Sequence, residues 1–358
     1  MRGHDLDLNF IVKNDKSQEF DLEEVINKDV STNDKFYHRL VIPNLLYFGA
    51  LHVGAVIGIY HLLVNAKVLT IIWAFLMAFC TGEAVTLGAH RYYSHKSFKA
   101  TTALRLAMII FQTAAGQNSM YTWARDHRLH HKYSDTDADP HNATRGFFFS
   151  HVGWLISKKH PLVKEKSKCI DVSDLLDDKI LMFQHKYFVP VYLLVGFLCP
   201  TCLPVFCWDE NWWTSFYVVY CLRYVGILHA TWSVNSIAHM FGTKPYDKRI
   251  VSVDSNVVSF LTGGDGWHNY HHSFPWDWRA GEFSVRGGFN TKFLQRLADY
   301  GFAYDLKTAS DSVVEGHTKK HGDGTRPVVD VGLNEHEDKK PRNGVVRNAP
   351  KEKSLVAD

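Results

Sequence analysis

The sequence lacks a strong excess of charge of either sign. Its 358 residues carry 40 Lys and Arg against 37 Asp and Glu. Such a balance offers no basic footprint for DNA or RNA, so we expect no nucleic-acid partner. The first 35 residues also lack an apolar run and hold nine acidic against five basic side chains. Residues 1–35 are therefore predicted to be a polar arm and not a signal peptide.

Cysteine patterns that would indicate a disulfide framework or a zinc site are missing as well. Cys199 and Cys202 form a single C-x-x-C pair with no second pair, which favours a structural role. Most of the cysteines stand inside apolar runs, where a thiol packs as a small hydrophobic group. We expect reduced thiols and a catalytic part that faces the cytosol. Aromatic residues are absent from position 310 onward, and 307–358 is predicted to be a disordered tail.

Long uncharged runs, in contrast, are abundant. Four of them, at about 40–66, 69–89, 187–208 and 212–234, are long enough to cross a bilayer core of about 30 Å as helices. Glu83 interrupts the second run and Arg223 the fourth. The predicted fold, over residues 36–306, is an all-α integral membrane protein with four transmembrane helices and a cytosolic helical cap that carries the histidine-rich site.

The orientation follows from the polar stretch between the second and third spans, which holds five lysines between 158 and 168. The positive-inside bias places this stretch in the cytosol, and an even number of spans then places both termini there. A fifth run, 106–121, has 16 uncharged residues but contains two glutamines and an asparagine. It is predicted to be a helix of the cytosolic part that does not cross the membrane.

Histidines are gathered in four short groups near the predicted cytosolic ends of the spans. Spacings of three and four residues place side chains on one face of a helix, whereas the pair five residues apart requires a helix end or a turn. Nine imidazoles exceed the four ligands of a closed zinc site, so two metal ions are predicted. The nine are His90, His95, His127, His130, His131, His239, His268, His271 and His272. Isolated histidines such as His52, His61, His185 and His229 are predicted to be structural, as are His141, His151 and His160.

The groups and their surroundings resemble the animal stearoyl-CoA-type acyl-CoA desaturases, and insect members in particular. The similar segments are His90-Arg-x-x-Ser-His95, Trp123-Ala-Arg-Asp-His-Arg-x-His-His131, Asp139-Pro-His-Asn-Ala-Thr-Arg-Gly-Phe-Phe-Phe-Ser-His-Val-Gly-Trp154, Asn235-Ser-x-Ala-His239 and Gly266-x-His-Asn-Tyr-His-His272. The resemblance implies a di-iron enzyme that uses O2 to insert a cis double bond, most often delta-9, into a saturated acyl-CoA. It also implies the endoplasmic reticulum membrane as location, and electrons from cytochrome b5 and its NADH-dependent reductase.

Further site residues are implied by the same resemblance. Asn235 is expected to reach one iron through water. A narrow, bent acyl tunnel is expected to have Trp123, Gln117 and Thr231 at its bend. The CoA group is expected to contact Asn44, Arg125, Asp126, Lys158 and Lys159, of which the cationic side chains suit phosphates.

Three departures from the family pattern leave chain length and double-bond position open: Tyr92-Tyr93 in the first box, the glutamate at position 83, and Gly264-Asp265 before the last box. Two alternative functions also remain open from the sequence. A membrane fatty-acid or sterol hydroxylase uses similar histidine boxes, and product analysis separates it from a desaturase. A metal transporter or metal-binding structural protein would place its ligands near mid-membrane instead.

Glu83 lies seven residues before His90 in an apolar helix, where a charge is costly. On an α-helix this spacing places the two residues on nearly the same face, about 10 Å apart. Two interpretations follow. Glu83 lines the closed end of the tunnel, or it is a protonated acid that ties two helices together.

Overall fold

The computed structural model describes residues 39–326 apart from 283 and 285–287. The predicted arm at 1–35 and the tail beyond 326 lie outside the described residues. The first part of the chain comprises α1 (Ile42–Val64), α2 (Val68–Glu83) with a π-helical continuation (Ala84–Ser94), β1 (Lys99–Ala100), α3 (Thr102–Ala115) and α4 (Met120–Lys132). Helices dominate because a backbone in lipid must satisfy its polar groups internally.

Short elements make up the lysine-rich middle of the chain. They are a 3₁₀ turn (Ala143–Arg145), a π-helical turn (Phe149–Gly153), α5 (Pro161–Lys166), a second 3₁₀ turn (Ser167–Cys169), α6 (Ser173–Asp177) and α7 (Lys179–Lys186). His160 and Asp178 cap two of these helices, since each side chain accepts a hydrogen bond from a backbone N–H two residues later. The segment is therefore folded, although no helix in it exceeds eight residues.

Longer helices return after residue 187. The remaining elements are α8 (Phe188–Tyr192), a π-helical stretch (Leu193–Leu198), α9 (Cys199–Trp208), α10 (Trp212–Ser215), a π-helical stretch (Phe216–Leu222), α11 (Arg223–Ser236), a 3₁₀ turn (Ile237–His239), α12 (Asn256–Thr262), α13 (His268–Ser273), α14 (Phe289–Asp299), β2 (Ala303–Tyr304) and α15 (Asp311–His321). The two strands pair antiparallel, with Lys99 opposite Tyr304. This pairing joins the segment after the second predicted span to the C-terminal part of the described chain.

Three helices of the described chain are long and apolar enough to cross a membrane: Ile42–Val64, Val68–Ser94 and Phe188–Trp208. Their surfaces expose large apolar side chains such as Leu63, Phe75 and Phe206, which are 78 %, 69 % and 84 % exposed. Exposed apolar residues of this density are typical of a lipid-facing surface. The chain is a membrane protein, and these three spans agree with the first three predicted runs.

The fourth predicted run is helical from Trp212 to Ser236 but is not among the helices that qualify as spans by composition. Arg223 contributes to this, yet its side chain is only 5 % exposed. Its Nε–H donates to the Val219 carbonyl at 2.8 Å, and its guanidinium lies 3.4 Å from Thr81 Oγ1 of α2. The charge is thus placed between helices and away from lipid, which is where an intramembrane arginine is tolerated.

Close packing of α1 against this helical run depends on Gly54 and Gly58, which are four residues apart. A Cβ at Gly58 would lie 2.4 Å from the Tyr217 carbonyl oxygen, and one at Gly54 would lie 2.8 Å from Cys221 Sγ. Small residues at this spacing let two helices approach closely in a membrane. The fourth run therefore packs closely against α1.

The fifth run forms α3, which is shorter than the uncharged sequence that suggested it. Thr101 caps its N-terminus, and Gly116, with a φ of 70°, ends it in the left-handed region. Its 14 residues extend about 21 Å, less than the bilayer core requires. This length agrees with the prediction that the segment does not cross.

The prediction of disorder from residue 307 onward is wrong for the part that the structure describes. Residues 311–321 form α15, which Ser310 caps by accepting a hydrogen bond from the Val313 N–H. Val314, 1 % exposed, packs with Ala309 against Tyr246, Tyr270 and Phe274. The segment has no aromatic side chain of its own, but aromatic residues elsewhere in the chain bury it.

Candidate metal centre and adjoining cavities

The first histidine pair is built by the π-helical continuation of α2. In this helix the His95 N–H donates to the His90 carbonyl, five residues earlier, at 3.2 Å. The five-residue repeat brings the two imidazole rings to a centroid distance of 5.0 Å. π-Helical segments are uncommon and frequently occur at functional sites. The five-residue spacing of His90 and His95 does not suit an α-helix, but it does suit the π-helix found here.

The other histidines come from two helices and one turn. α4 presents His127, His130 and His131, and α13 presents His268, His271 and His272, with the spacings that place them on one face. His239 lies in the 3₁₀ turn that follows α11. All nine predicted histidines therefore lie on four elements: α2 with its π-helical continuation, α4, α13 and the 3₁₀ turn after α11.

The structure divides these nine residues into two groups. Within each group the ring nitrogens lie within 4.8 Å of one another, so each group can hold a metal ion. The five-histidine group contains His90, His95, His127, His131 and His271, and the four-histidine group contains His130, His239, His268 and His272. Facing Nε2 atoms within a group approach as closely as 2.8 Å, between His90 and His271.

Two carboxylates that the sequence analysis did not identify orient the four-histidine group. Asp139 Oδ2 accepts a hydrogen bond from His130 Nδ1 at 2.9 Å, and Asp135 Oδ2 accepts one from His239 Nδ1 at 3.0 Å. With Nδ1 protonated, the Nε2 lone pair is free for a metal, and both Nε2 atoms are buried without a partner in the described chain. The donor set therefore fits a metal ion. The sequence feature that could have indicated these carboxylates is a pair of aspartates, four residues apart, shortly after the second box at 127–131.

The last box, at 268–272, is held by Asn269, which is fully buried within it. Its Oδ1 accepts from the backbone N–H groups of Tyr246 and Asp247, and its Nδ2 donates to the carbonyls of Asp247 and Ser252. The N–H groups of Asn269 and Tyr270 in turn donate to Asp254 Oδ1 at 2.8 and 3.2 Å. These bonds fix the position of α13, a helix too short to be stable alone.

Burial sets the charge state of the rings. Burial, together with neighbouring histidines, lowers the pKa of several of them well below the ordinary imidazole value: His95, His127, His131, His268, His271 and His272. His130 differs: burial acts to lower its pKa, but the Asp139 and Asp135 carboxylates together outweigh burial and raise it. Neutral imidazoles are the form that binds metal, so the low pKa values favour metal binding at neutral pH.

Two cavities meet beside the histidines. The outer cavity, about 680 Å³, and the inner cavity, about 350 Å³, share four lining residues, which we call the waist: Trp123, His127, Thr231 and Asn235. Trp123 Nε1–H donates to Gln117 Oε1 at 3.3 Å, and Gln117 Nε2–H donates to Thr231 Oγ1 at 2.9 Å. Trp123 also stacks on His127, with ring centroids 4.9 Å apart. The residues expected at a tunnel bend thus form one bonded cluster against the metal centre.

Four of the five residues expected to contact CoA line the outer cavity: Asn44, Asp126, Lys158 and Lys159. Lys159 Nζ donates to Asp126 Oδ2 at 2.6 Å, and Asn44 Nδ2–H donates to the Leu155 carbonyl at 2.7 Å. Arg125 is not part of this lining, and its guanidinium pairs with Asp126 and lies 5.8 Å from the Tyr121 ring. Of the three predicted cationic residues, Lys158 and Lys159 therefore line the cavity, whereas Arg125 does not.

Asp265, one of the residues that departs from the family pattern, accepts hydrogen bonds from two buried side chains that the sequence did not indicate. Arg91, 1 % exposed, donates to Asp265 Oδ1 at 2.9 Å, and Thr86 Oγ1–H donates to Asp265 Oδ2 at 2.7 Å. Arg91 also donates to the carbonyl of Trp278. These added hydrogen bonds offset the cost of burying the charge pair, which links the π-helix to the loop before the last box.

The isolated histidines lie outside the two groups. His52, His229 and His151 form a hydrogen-bonded row, with ring nitrogens 3.0 and 2.9 Å apart. His61 pairs with Thr214 Oγ1 at 3.0 Å. His141 Nδ1 lies 3.3 Å from Asp139 Oδ1, beside the carboxylate that orients His130. Their structural interpretation remains a prediction.

The geometry defines a class: a helical membrane protein whose two histidine groups can bind metal beside two cavities that share lining residues. The family model for fatty acid desaturase matches residues 66–280. An acyl-CoA Delta-9 desaturase of Acheta domesticus is 47 % identical, over 82 % of each chain. A Delta(9)-fatty-acid desaturase of Caenorhabditis elegans is 45 % identical over 84 % of this chain and 89 % of its own. An acyl-CoA Delta(11) desaturase of Trichoplusia ni is 45 % identical over 82 % and 84 %.

The chain belongs to the fatty acid desaturase family, as a stearoyl-CoA-type acyl-CoA desaturase. The resemblance noted from the histidine boxes is confirmed.

Proposed function

We propose that this acyl-CoA desaturase inserts a cis double bond at the delta-9 position of a saturated acyl-CoA. Two of the relatives named above are delta-9 enzymes and a third, of similar identity, is a delta-11 enzyme. The observation that carries the proposal is the waist, whose residues line both cavities and include His127, a histidine of the candidate metal centre. A saturated chain offers methylenes of nearly equal reactivity, so placement at this point decides which carbons react.

The two metal ions in this proposal are iron. One would be held by the five-histidine group and the other by the four-histidine group, with Asn235 contributing through water. Bound iron supplies the oxygen and electron-transfer chemistry that no side chain provides. The buried imidazoles suit iron as a borderline metal, and Asp135 and Asp139 hold two of them in the binding tautomer.

The protein's own contribution is to position the substrate. The CoA phosphates would meet Lys158 and Lys159 at the outer cavity, and the acyl chain would pass the waist into the inner cavity. Trp123, Gln117 and Thr231 hold one another by hydrogen bonds, so the bend keeps its shape while the chain slides past. A rigid bend of this kind excludes all but one segment of the chain from the metal centre.

The proposed setting is the endoplasmic reticulum membrane, with O2 as oxidant and cytochrome b5 and its NADH-dependent reductase as electron donors. The helical run Trp212–Ser236 acts as the fourth span, and both termini face the cytosol. The lysine-rich segment at 158–168 then faces the same side as the histidines, and it suits an acidic protein partner.

Expression in yeast that lacks its own desaturase tests the activity. Mass spectrometry of the cell lipids should show monounsaturated chains with the double bond at carbon 9, and growth without added unsaturated fatty acid. His271→Ala is the matched inactive control. A double bond at carbon 11 would contradict only the proposed delta-9 position. Hydroxylated chains without double bonds would contradict desaturation itself.

Accessibility labelling tests the topology. Cysteines placed at the exposed positions Lys99 and Lys132 should react with an impermeant reagent added outside sealed microsomes. A cysteine at the exposed Asn211, in the turn between α9 and α10, should react only after the membrane is opened. The background variant lacks the exposed native cysteines Cys169, Cys199 and Cys207. Protection of just one of the first two positions would show that α3 crosses and would contradict four spans.

A further inference from the structure

The wall of the inner cavity carries a carboxyl group that the proposed reaction does not use. Glu83, at the end of α2, is 9 % exposed and lines this cavity together with Phe79 and Thr86. Its Oε2 has no hydrogen-bond partner among the residues that the structure describes. Burying a carboxyl group without a partner is costly, whether or not it is ionised. A partner that enters the cavity would remove this cost.

The neighbouring polar groups are committed elsewhere. Thr86 Oγ1–H and the Arg91 guanidinium both bond to Asp265, and Arg91 also donates to Thr291 Oγ1 at 3.2 Å. The structure describes no hydrogen bond from Glu83 Oε2 to another helix, which the helix-tying interpretation would require. The carboxyl group is therefore left to interact with whatever occupies the cavity.

The position of Glu83 along the substrate path follows from the waist. The CoA end lies at the outer cavity under the proposed function, so the part of the chain beyond the reacting carbons lies in the inner cavity. Glu83 precedes His90 by seven residues, at the point where α2 passes into its π-helical continuation, and both residues line the inner cavity. The inner cavity is otherwise lined mainly by side chains that suit hydrocarbon, including Phe75, Val85 and Leu261.

We propose that the inner cavity selects acyl chains that carry an oxygen group, a hydroxyl in the simplest case, beyond the carbons that react, and that Glu83 binds this group. The proposal rests on the proposed function, since it assumes that the chain passes the waist. A hydroxyl both donates and accepts hydrogen bonds, so it matches a carboxyl group in either protonation state. A plain hydrocarbon chain would leave the carboxyl group unpaired, and a site built to bond a substrate hydroxyl discriminates against the analogue that lacks it.

The first test uses the full-length enzyme, reconstituted with cytochrome b5 and its reductase. The substrates are saturated CoA esters of one chain length, unsubstituted or with a hydroxyl moved one carbon at a time through the distal half. The ratio of kcat/KM for the hydroxylated to the plain ester should peak at one position, by about tenfold or more. A flat series, or a uniform loss at every position, would overturn the proposal. An enzyme that desaturates the plain ester but shows no peak contradicts this proposal alone, whereas one that desaturates none of the esters contradicts the proposed function as well.

The second test changes the residue. Glu83→Leu should abolish the peak in the ratio of kcat/KM values, while Glu83→Gln, which still forms hydrogen bonds, should keep most of the selectivity. Phe79→Leu is the matched control, because it alters the same wall without changing its polarity and should leave the peak in place. A peak that survives in Glu83→Leu would show that another group binds the hydroxyl, and it would overturn the assignment to Glu83. Iron content reports folding, and if Glu83→Leu loses iron, the ester series and Glu83→Gln still decide the question.

Discussion

The two histidine groups hold their rings in different ways. Rings approach one another in both groups: the Nε2 atoms of His95 and His127 are 2.9 Å apart, and those of His268 and His272 are 3.0 Å apart. In the four-histidine group Asp135 and Asp139 fix two of the rings from behind. The difference suggests that one site depends on the number of its ligands and the other on their orientation. A missing ligand and a missing carboxylate should therefore have different effects.

The largest effect is expected from removing a ligand. His271→Ala in the five-histidine group and His268→Ala in the four-histidine group should each abolish desaturation and lower the iron content by about one ion per chain, because each metal has its own ligand set. Elemental analysis with product measurement checks this. His321→Ala, on α15, is the control and should retain both ions. If either ligand variant loses both ions completely, the two sites are not independent.

A smaller effect is expected from the carboxylates. Asp139→Asn should weaken metal binding or activity about tenfold to a hundredfold, because His130 loses its orienting acceptor. Metal titration of the reconstituted protein measures the change. Asp137→Asn is a matched control, since Asp137 lies between the two carboxylates but pairs with Arg145. Equal losses in both variants would mean that the loop, and not the histidine contact, is being disturbed.

Asn235 offers a way to sharpen the comparison. It lies at the waist and is proposed to complete the four-histidine site through water, so Asn235→Ala should lower activity by about tenfold while the five-histidine site keeps its iron. Thr231→Val, at the same waist, should instead change which products form, because it alters the bend and not the metal. Loss of iron from both groups in Asn235→Ala would contradict its assignment to one site.

The smallest effect concerns pH. Burial lowers the pKa of most ring nitrogens, so these imidazoles stay neutral as the pH falls below the ordinary value of about 6.5. Iron should therefore be retained to a lower pH than in an exposed histidine site, as measured after dialysis at stepped pH. His130, whose pKa Asp139 raises, should take up a proton first, which makes the four-histidine group the earlier to release its ion. Release of both ions together near pH 6.5 would contradict this.

Much of the site was predictable from the sequence, because ligand chemistry and helical periodicity are local properties. The repeats at 127–131 and 268–272 indicate which side chains share a helix face, and the count of nine indicates two metals. Asp135 and Asp139 were missed, because their role depends on how the loop after α4 folds back onto His130 and His239. The helix at 311–321 was missed for a similar reason, since its burial comes from aromatic residues distant in sequence.

The sequence by itself determined the membrane class and the identity of the histidines, since apolar length and residue spacing are read along the chain. The tertiary structure decided how the nine histidines divide into five and four, because His271 and His272 are adjacent in sequence yet belong to different groups. It also placed Arg223 among helices and left Glu83 facing a cavity. These outcomes depend on which distant segments meet, and no local pattern contains that information.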